Sequence, residues 1–442
     1  MSKSVEDIIV KDCSYIELDA NLALYINQCF TQQSVFRISD RVKEDEIPLL
    51  TYDYIHKKWL TGRYIGELYF NYQGQSYRLK VEPRFGDATL LHLLEEVFNI
   101  KLAHNKSDDK LSHNYHNQLI KKLISLIWIK ELGKANVHGV PRHKKINTYC
   151  GSTVKGRLNI RESILPLYNQ KQIVSHKVEK NIDSTILSIL YQAYRILCKD
   201  YLLTPNMLSD NVMDVLSHTQ GLGHNKSVTV NDYKKIRYGA MYGGYKPIVD
   251  FSWEIIQRKR NNLNQKNANK DSDALFLDMA EIWENYLISV LRKAYAAKGW
   301  KVFSRKYFAY EDQPYKRGMI PDIILEKDNC VIIWDAKYKN MEFRKFDYDR
   351  NDFFQIHTYG AFMQAKQKKV IGMGLLYPFK KELRQTDAER NYSESLFGLK
   401  SSSTWFKVDG IALSEDANLL VANKEAFLTR VNDKIEVMIP TN

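Results

Sequence analysis

The stretch PDIILEKDNCVIIWDAKYK, residues 321–339, decides how the chain reads. Two apolar runs, Ile323–Leu325 and Val331–Trp334, flank Lys327-Asp328-Asn329, which is turn chemistry, so they are expected to pair as a hairpin. Asp322 opens the first strand; Asp335 and Lys337 end the second. Side chains alternate along a strand, so Asp335 and Lys337 project from one face while Ala336 turns away. Pairing can bring Asp322 beside Asp335. Charges left unpaired at the edge of a buried sheet are costly, and two adjacent carboxylates resist joint ionisation unless a cation lies between them. Magnesium suits such a place, because it binds one or two carboxylates and keeps waters and substrate phosphate oxygens. Lys337 could then orient or deprotonate a water, or offset charge growing on phosphorus, as in metal-assisted phosphodiester hydrolysis. The base role needs an uncharged lysine. An ordinary salt bridge on a hairpin is the competing reading, since P-D and D-A-K each recur by chance.

Working outward, ALFLDMAEIWENYLISVLRKAYAAKG (274–299) reads as a helix and carries Glu284 among apolar neighbours. Strand-like KVFSRKYFAY precedes the hairpin. A helix from about Asp352 to Gln367 and the strand VIGMGLLYP follow it. That helix holds Gln355 and Tyr359 at i, i+4, hence on one face. Helix, three strands, helix, strand makes a mixed α/β domain, and these residues resemble the PD-(D/E)xK nuclease superfamily. The resemblance implies that Asp322 and Asp335 are metal-binding acids, Lys337 the catalytic lysine and Glu284 a first-helix acid assisting the metal. It implies that Gln355 and Tyr359 form a Q-x-x-x-Y element near the site and the DNA. An exposed helix acid at Glu284 and ordinary helix packing at Gln355 and Tyr359 are the plainer alternatives.

Upstream, YIGELYF and SYRLKVEP flank a turn at Gln73-Gly74-Gln75 and read as another hairpin, ended by Pro83 and Gly86. Helical periodicity follows in LLHLLEEVFNI and in HNQLIKKLISLIWIKEL, the latter stopping at Gly133. Basic strands and loops fill VHGVPRHKKINTYCGSTVKGRLNI. DSTILSILYQAYRILCKDYLL is an amphipathic helix with Ile186, Leu187, Leu190 and Tyr194 on one face. QRKRNNLNQKNANKDSD, almost without apolar residues, reads as a solvated linker. The expected organisation is therefore an N-terminal α+β region over 1–137, a middle region over 138–260, a linker over 261–273 and the nuclease-like domain with an extension over 274–442.

At 442 residues the chain exceeds one ordinary core, and 44% hydrophobic content supports folding. No apolar run approaches the roughly 20 residues of a membrane span. The N-terminus lacks the pattern of a secretory signal, so a soluble cytoplasmic protein is expected. Five scattered cysteines without a C-x-x-C pair argue against a zinc ribbon or disulfide framework. His113 and His116 share a helix face but have no nearby third ligand. Sixty-five Lys and Arg against 52 Asp and Glu give +13, which favours a polyanionic partner.

VKGRLNIRESI (Val154–Ile164), the segment leading to Asp183 at the start of a long helix, and YIGELYF…LKVEPRFG together resemble McrC, the nuclease subunit of McrBC modification-dependent restriction systems. A McrC-like subunit of a related multi-gene system fits equally. That resemblance implies a Mg2+-dependent endonuclease acting on methylated double-stranded DNA, and a partner ring, a McrB-like AAA+ GTPase that binds the GTP. In QGLGHNKSVT, Gln220 and Asn225 stand where a phosphate loop requires glycine, so this chain is not expected to bind nucleotide itself. A non-cleaving activator of the motor and a stand-alone repair nuclease are the alternatives.

Overall fold

The hairpin of residues 321–339 forms in the expected register: Ile323–Lys327 runs antiparallel to Cys330–Ala336, with Ile323 opposite Trp334. This is a computed structural model, and it describes residues 5–30, 35–36, 47–100, 115–219, 228–265, 275–339, 349–382, 391–399 and 403–438. The hairpin lies within a six-stranded sheet ordered Lys301–Phe303, Ile323–Lys327, Cys330–Ala336, Lys369–Phe379, Trp405–Ala412 and Tyr392–Ser393. Cys330–Ala336 and Lys369–Phe379 are parallel. A parallel pair needs a crossover, and helix Arg350–Ala365 supplies it. Its Ile356, Tyr359 and Met363 pack with Val331, Ile333 and Leu375 in one core cluster. Helix Met279–Tyr295 is tied to the sheet by Trp283 Nε1, which donates to the Leu376 carbonyl at 3.2 Å.

Gly374 stands between Trp334 and Lys407 on the neighbouring strands. A Cβ there would collide with the Lys407 carbonyl oxygen and come within 2.5 Å of Trp334 Cζ3. Overpacking of this kind costs about 1–3 kcal/mol. Gly374→Ala is therefore expected to lower the calorimetric unfolding temperature by several degrees, and an unchanged midpoint would show that the strands can part at no cost.

The segment 274–299 is not one helix. Leu275–Asp278 is a fully buried strand, antiparallel to Tyr64–Glu67 and parallel to Val35–Phe36. A short apolar run fits a buried strand as well as a helix start, and pairing with the Tyr64–Tyr72 strand decides for the strand. Asp278 then caps the helix, its Oδ1 accepting from Ala280 N at 3.0 Å. The sheet that receives this strand is the upstream hairpin read from the sequence, Tyr64–Tyr72 against Gln75–Glu82, joined in parallel by Glu6–Lys11. As a result, the contacts group residues 1–117 with 269–442, and residues 118–268 separately. This differs from four consecutive segments, because the strand after the linker completes the N-terminal sheet.

The 118–268 unit contains the antiparallel pair Arg142–Gly151 and Ile173–Ile182, with Arg157–Leu158 on the latter's other side. Helix Ser184–Asp200 is capped by Asp183, as its position in the sequence suggests. Helix Tyr245–Gln265 continues into the first residues of the expected linker. The rest of that linker, His113 and Gln220–Ser227 lie outside the described residues. The C-terminal extension contributes Trp405–Ala412 to the large sheet and the helix Ala417–Met438, whose Arg430 grips the buried Asp409 at 3.0 Å. No helix among the described residues is long and apolar enough to cross a membrane.

Candidate active site

Asp322 precedes its strand, and its Oδ2 accepts from Ala336 N at 2.9 Å, which fixes the first acid at the end of the strand carrying the second. Asp335 is fully buried. Lys337 Nζ lies 2.5 Å from Asp335 Oδ2 and 3.5 Å from Asp352 Oδ1, and donates to Gln355 Oε1 at 2.8 Å. Its backbone N–H donates to the Leu376 carbonyl at 2.8 Å. Gln355 Nε2 donates to Tyr359 Oη at 2.8 Å, and that hydroxyl donates to the Ile320 carbonyl at 3.2 Å. Polar contacts thus run from the lysine through both helix residues to the loop that presents Asp322. The structure brings together Asp322, Asp335, Lys337, Gln355 and Tyr359.

Burial pushes the Asp335 carboxyl above its usual range, against the opposing pull of Lys337 and of a hydrogen bond with Asp322. Both Asp335 oxygens are buried, with Lys337 and Asp322 set against them. Burial alone would lower Lys337, but Asp335, Asp322 and Asp352 outweigh it and hold the ammonium above the ordinary lysine value. Lys337 is therefore a cation at neutral pH in this arrangement, which suits charge stabilisation and not proton abstraction.

Glu284 is buried and lines the same cleft. It faces the electrostatic field of Arg63, whose Nη2 pairs with Asp278 at 2.9 Å. Among the described residues no three His, Cys, Asp or Glu side chains converge as a ready-made metal cage. The acid pair is assembled and Glu284 stands on the cleft wall. Magnesium needs only one or two protein carboxylates, so the adjacent acids and the buried oxygens of Asp335 fit it. The cleft has a volume of about 560 Å³, and Arg63, Lys306, Arg317 and Lys339 surround the acids at its walls. Four cations around an acid pair form a place for a polyanion that brings or shares a metal ion.

A family model described as "McrBC 5-methylcytosine restriction system component" matches residues 60–378. The chain belongs to the McrBC family. Among solved structures, a chain from the refined half-complex of the tetradecameric assembly of Thermococcus gammatolerans McrB AAA+ hexamers with bound McrC is similar, with a TM-score of 0.50 and 12% identity. That alignment covers 97% of this chain and 99% of the other. A chain of the cryo-EM structure of the Thermococcus gammatolerans McrBC complex aligns with TM-score 0.35 and 12% identity over 66% of this chain and 88% of that one. A comparison with curated proteins finds no significant match. At such identity the first likeness speaks to the fold alone. The McrBC family match spans the upstream hairpin and Glu284, Asp322, Asp335, Lys337, Gln355 and Tyr359, and ends before the C-terminal extension.

Sequence reading passed over several residues of this McrBC-family site. Asp352 is buried, holds Lys339 Nζ at 2.5 Å and accepts from Tyr377 Oη at 3.4 Å. Its signal was available: Asp352, Gln355 and Tyr359 stand at i, i+3 and i+7 of one helix face. Arg63 comes from a distant turn and carries no local mark. Arg84, directly after Pro83, packs its guanidinium 4.4 Å from the Tyr338 ring centroid, and its backbone N–H donates to the buried Asp12 at 2.5 Å. It therefore supports the residue that directly follows Lys337.

Proposed function

We propose that this chain is the McrC-like nuclease subunit of a McrBC-type restriction system, cutting DNA by Mg2+-dependent phosphodiester hydrolysis in a PD-(D/E)xK-type domain. The observation that carries the reading is the adjacent Asp322 and Asp335 with the Lys337 ammonium beside them, at a cleft walled by cations. Asp322 and Asp335 would hold the ion, with Glu284 as an outer acid. When bound, magnesium supplies Lewis-acid polarisation of the phosphoryl group and a more acidic water. The chain's own residues do the rest. Lys337 offsets negative charge developing on the phosphate, and Asp352 and Gln355 restrict where its ammonium can sit. Gln355 and Tyr359 transmit that restraint to the Asp322 loop. Arg63, Lys306 and Arg317 grip phosphates of the DNA beside the acid pair.

The proposed partner is a McrB-like AAA+ GTPase ring, supported by the family membership and by the assembly in which the similar fold was solved. GTP binding and recognition of the methylated base are assigned to the ring, and this chain stimulates the ring and cuts. The test is co-purification with the AAA+ protein followed by incubation with GTP and Mg2+ on methylated and unmethylated plasmid. Linear products from the methylated plasmid alone are expected. Stimulated GTP hydrolysis with both plasmids intact would replace this reading with a non-cleaving activator, and methylation-independent cutting without the ring would replace it with a stand-alone nuclease.

A further inference from the structure

The short hairpin Tyr307–Ala309 and Arg317–Met319 stands apart from the large sheet as a two-stranded unit, and its base reaches the catalytic cleft through Lys306, Arg317 and Gly318. Gly318 makes room for a cation: a Cβ there would lie 2.9 Å from Lys306 Cε. The arm carries Arg305, Lys306, Lys316 and Arg317 against two acids at its tip, Glu311 and Asp312. The Lys306 and Lys316 ammoniums lie 5.2 and 5.6 Å from the Phe308 ring centroid. Beyond them, Tyr310 and Tyr315 are each 67% exposed, with ring centroids 5.5 Å apart. Tyr310 also has φ 52°, the left-handed conformation with which the chain turns at the tip of the arm.

A protein gains nothing for its own core from two tyrosines held in water on a cationic arm. A duplex offers such rings little, because its bases stack on one another and present mainly backbone. An unpaired strand offers both a phosphate chain for the cations and open base faces for the rings. We infer that the 305–319 hairpin is a strand-guiding arm that takes a single DNA strand at the mouth of the cleft, with Lys306 and Arg317 on its phosphates and Tyr310 and Tyr315 on its bases. This rests on the nuclease reading and deepens it, by naming the form of DNA that the arm takes at the cleft.

The experiment uses the full chain in EDTA, where no cleavage occurs, and measures fluorescence anisotropy of labelled oligothymidylate and of a blunt duplex across a salt series. Tyr310→Ala/Tyr315→Ala is expected to weaken strand binding about ten-fold or more, with the salt slope kept and duplex binding little changed. Lys306→Ala/Arg317→Ala should lower the slope of log affinity against log salt by about 1.4, roughly 0.7 for each lost phosphate contact on a single strand. Tyr310→Phe/Tyr315→Phe, which keeps the rings, should retain strand affinity and so guards against a folding artefact. The inference is overturned if the alanine pair binds the strand as the wild type does, or weakens strand and duplex equally. It is also overturned if the wild type does not bind the strand, or if the alanine pair loses only its association with the AAA+ ring, which would make the arm a protein contact. Cleavage is scored separately with Mg2+, ring and GTP. Normal cutting by Asp335→Asn there would undo the nuclease reading while leaving the binding result in place.

Discussion

Lys337→Ala is expected to cut DNA about 10²–10³-fold more slowly than the wild type, the usual cost of removing one preorganised charge-stabilising donor from a water-poor site. The same change should destabilise the fold at neutral pH by about 3 kcal/mol, because it strips the counter-charge from the fully buried Asp335. Asp352 is affected less, since Lys339 still holds it at 2.5 Å. The two losses separate by pH. Burial already raises the Asp335 carboxyl, and the ammonium opposes that rise. Without the ammonium the folded chain binds a proton that the unfolded chain releases, so stability falls as pH climbs from about 4, the unfolded carboxylate value, through the raised folded value. Urea denaturation of Lys337→Ala should therefore show stability partly restored in mild acid, while cleavage stays lost. A variant that cuts normally, or whose deficit is the same in acid and at neutral pH, would show that Lys337 neither serves the chemistry nor neutralises Asp335. Lys337→Arg should not rescue it, because a planar guanidinium cannot take the place of a compact ammonium that lies 2.5 Å from one acid and 2.8 Å from Gln355.

How much of this was legible beforehand depends on whether each feature is local. The hairpin register could be read because its turn and both apolar runs lie within nineteen consecutive residues, and alternation then fixes which side chains share a face. Gln355 and Tyr359 could be placed together by helical spacing alone. What spacing could not show was their hydrogen-bonded link from Lys337 to the Ile320 carbonyl. Leu275–Asp278 was read as a helix because its four residues suit either state, and the strand that decides the matter lies some two hundred residues upstream. The same long-range pairing unites the N-terminal sheet with the segment that carries the acid pair, against a division drawn in chain order. Arg63 and Arg317 carry no signature of their own, since basic residues abound in this chain and only folding selects which of them face the acids. In the C-terminal extension Trp405–Ala412 continues the parallel sheet, a role that its alternation around Lys407 and Asp409 disguises by burying both charges.

Asp335→Asn should abolish cleavage as thoroughly as Lys337→Ala, by about a thousand-fold or more, yet move stability the other way. The side chain keeps its shape and loses its charge. In the wild type the carboxyl is fully buried, with Lys337 and Asp322 set against its oxygens. Desolvating a carboxylate so completely costs several kcal/mol, which the ion pair offsets only in part. Lys337, by contrast, is not stranded by the change: it remains partly exposed, donates to Gln355 at 2.8 Å and lies 3.5 Å from Asp352. The folded state is therefore expected to hold or gain stability in urea titrations. Opposite stability changes with the same loss of activity are what a pair of reacting groups gives, whereas two members of a merely structural salt bridge would both destabilise and leave any chemistry elsewhere intact. Calorimetric titration with Mn2+ supplies the third readout, because binding heat seen with the wild type should vanish in Asp335→Asn and persist in Lys337→Ala, which keeps both acids. If Asp335→Asn binds Mn2+ as the wild type does, the Asp335 carboxylate is not needed to hold the ion, and its burial beside Lys337 must be explained by folding alone.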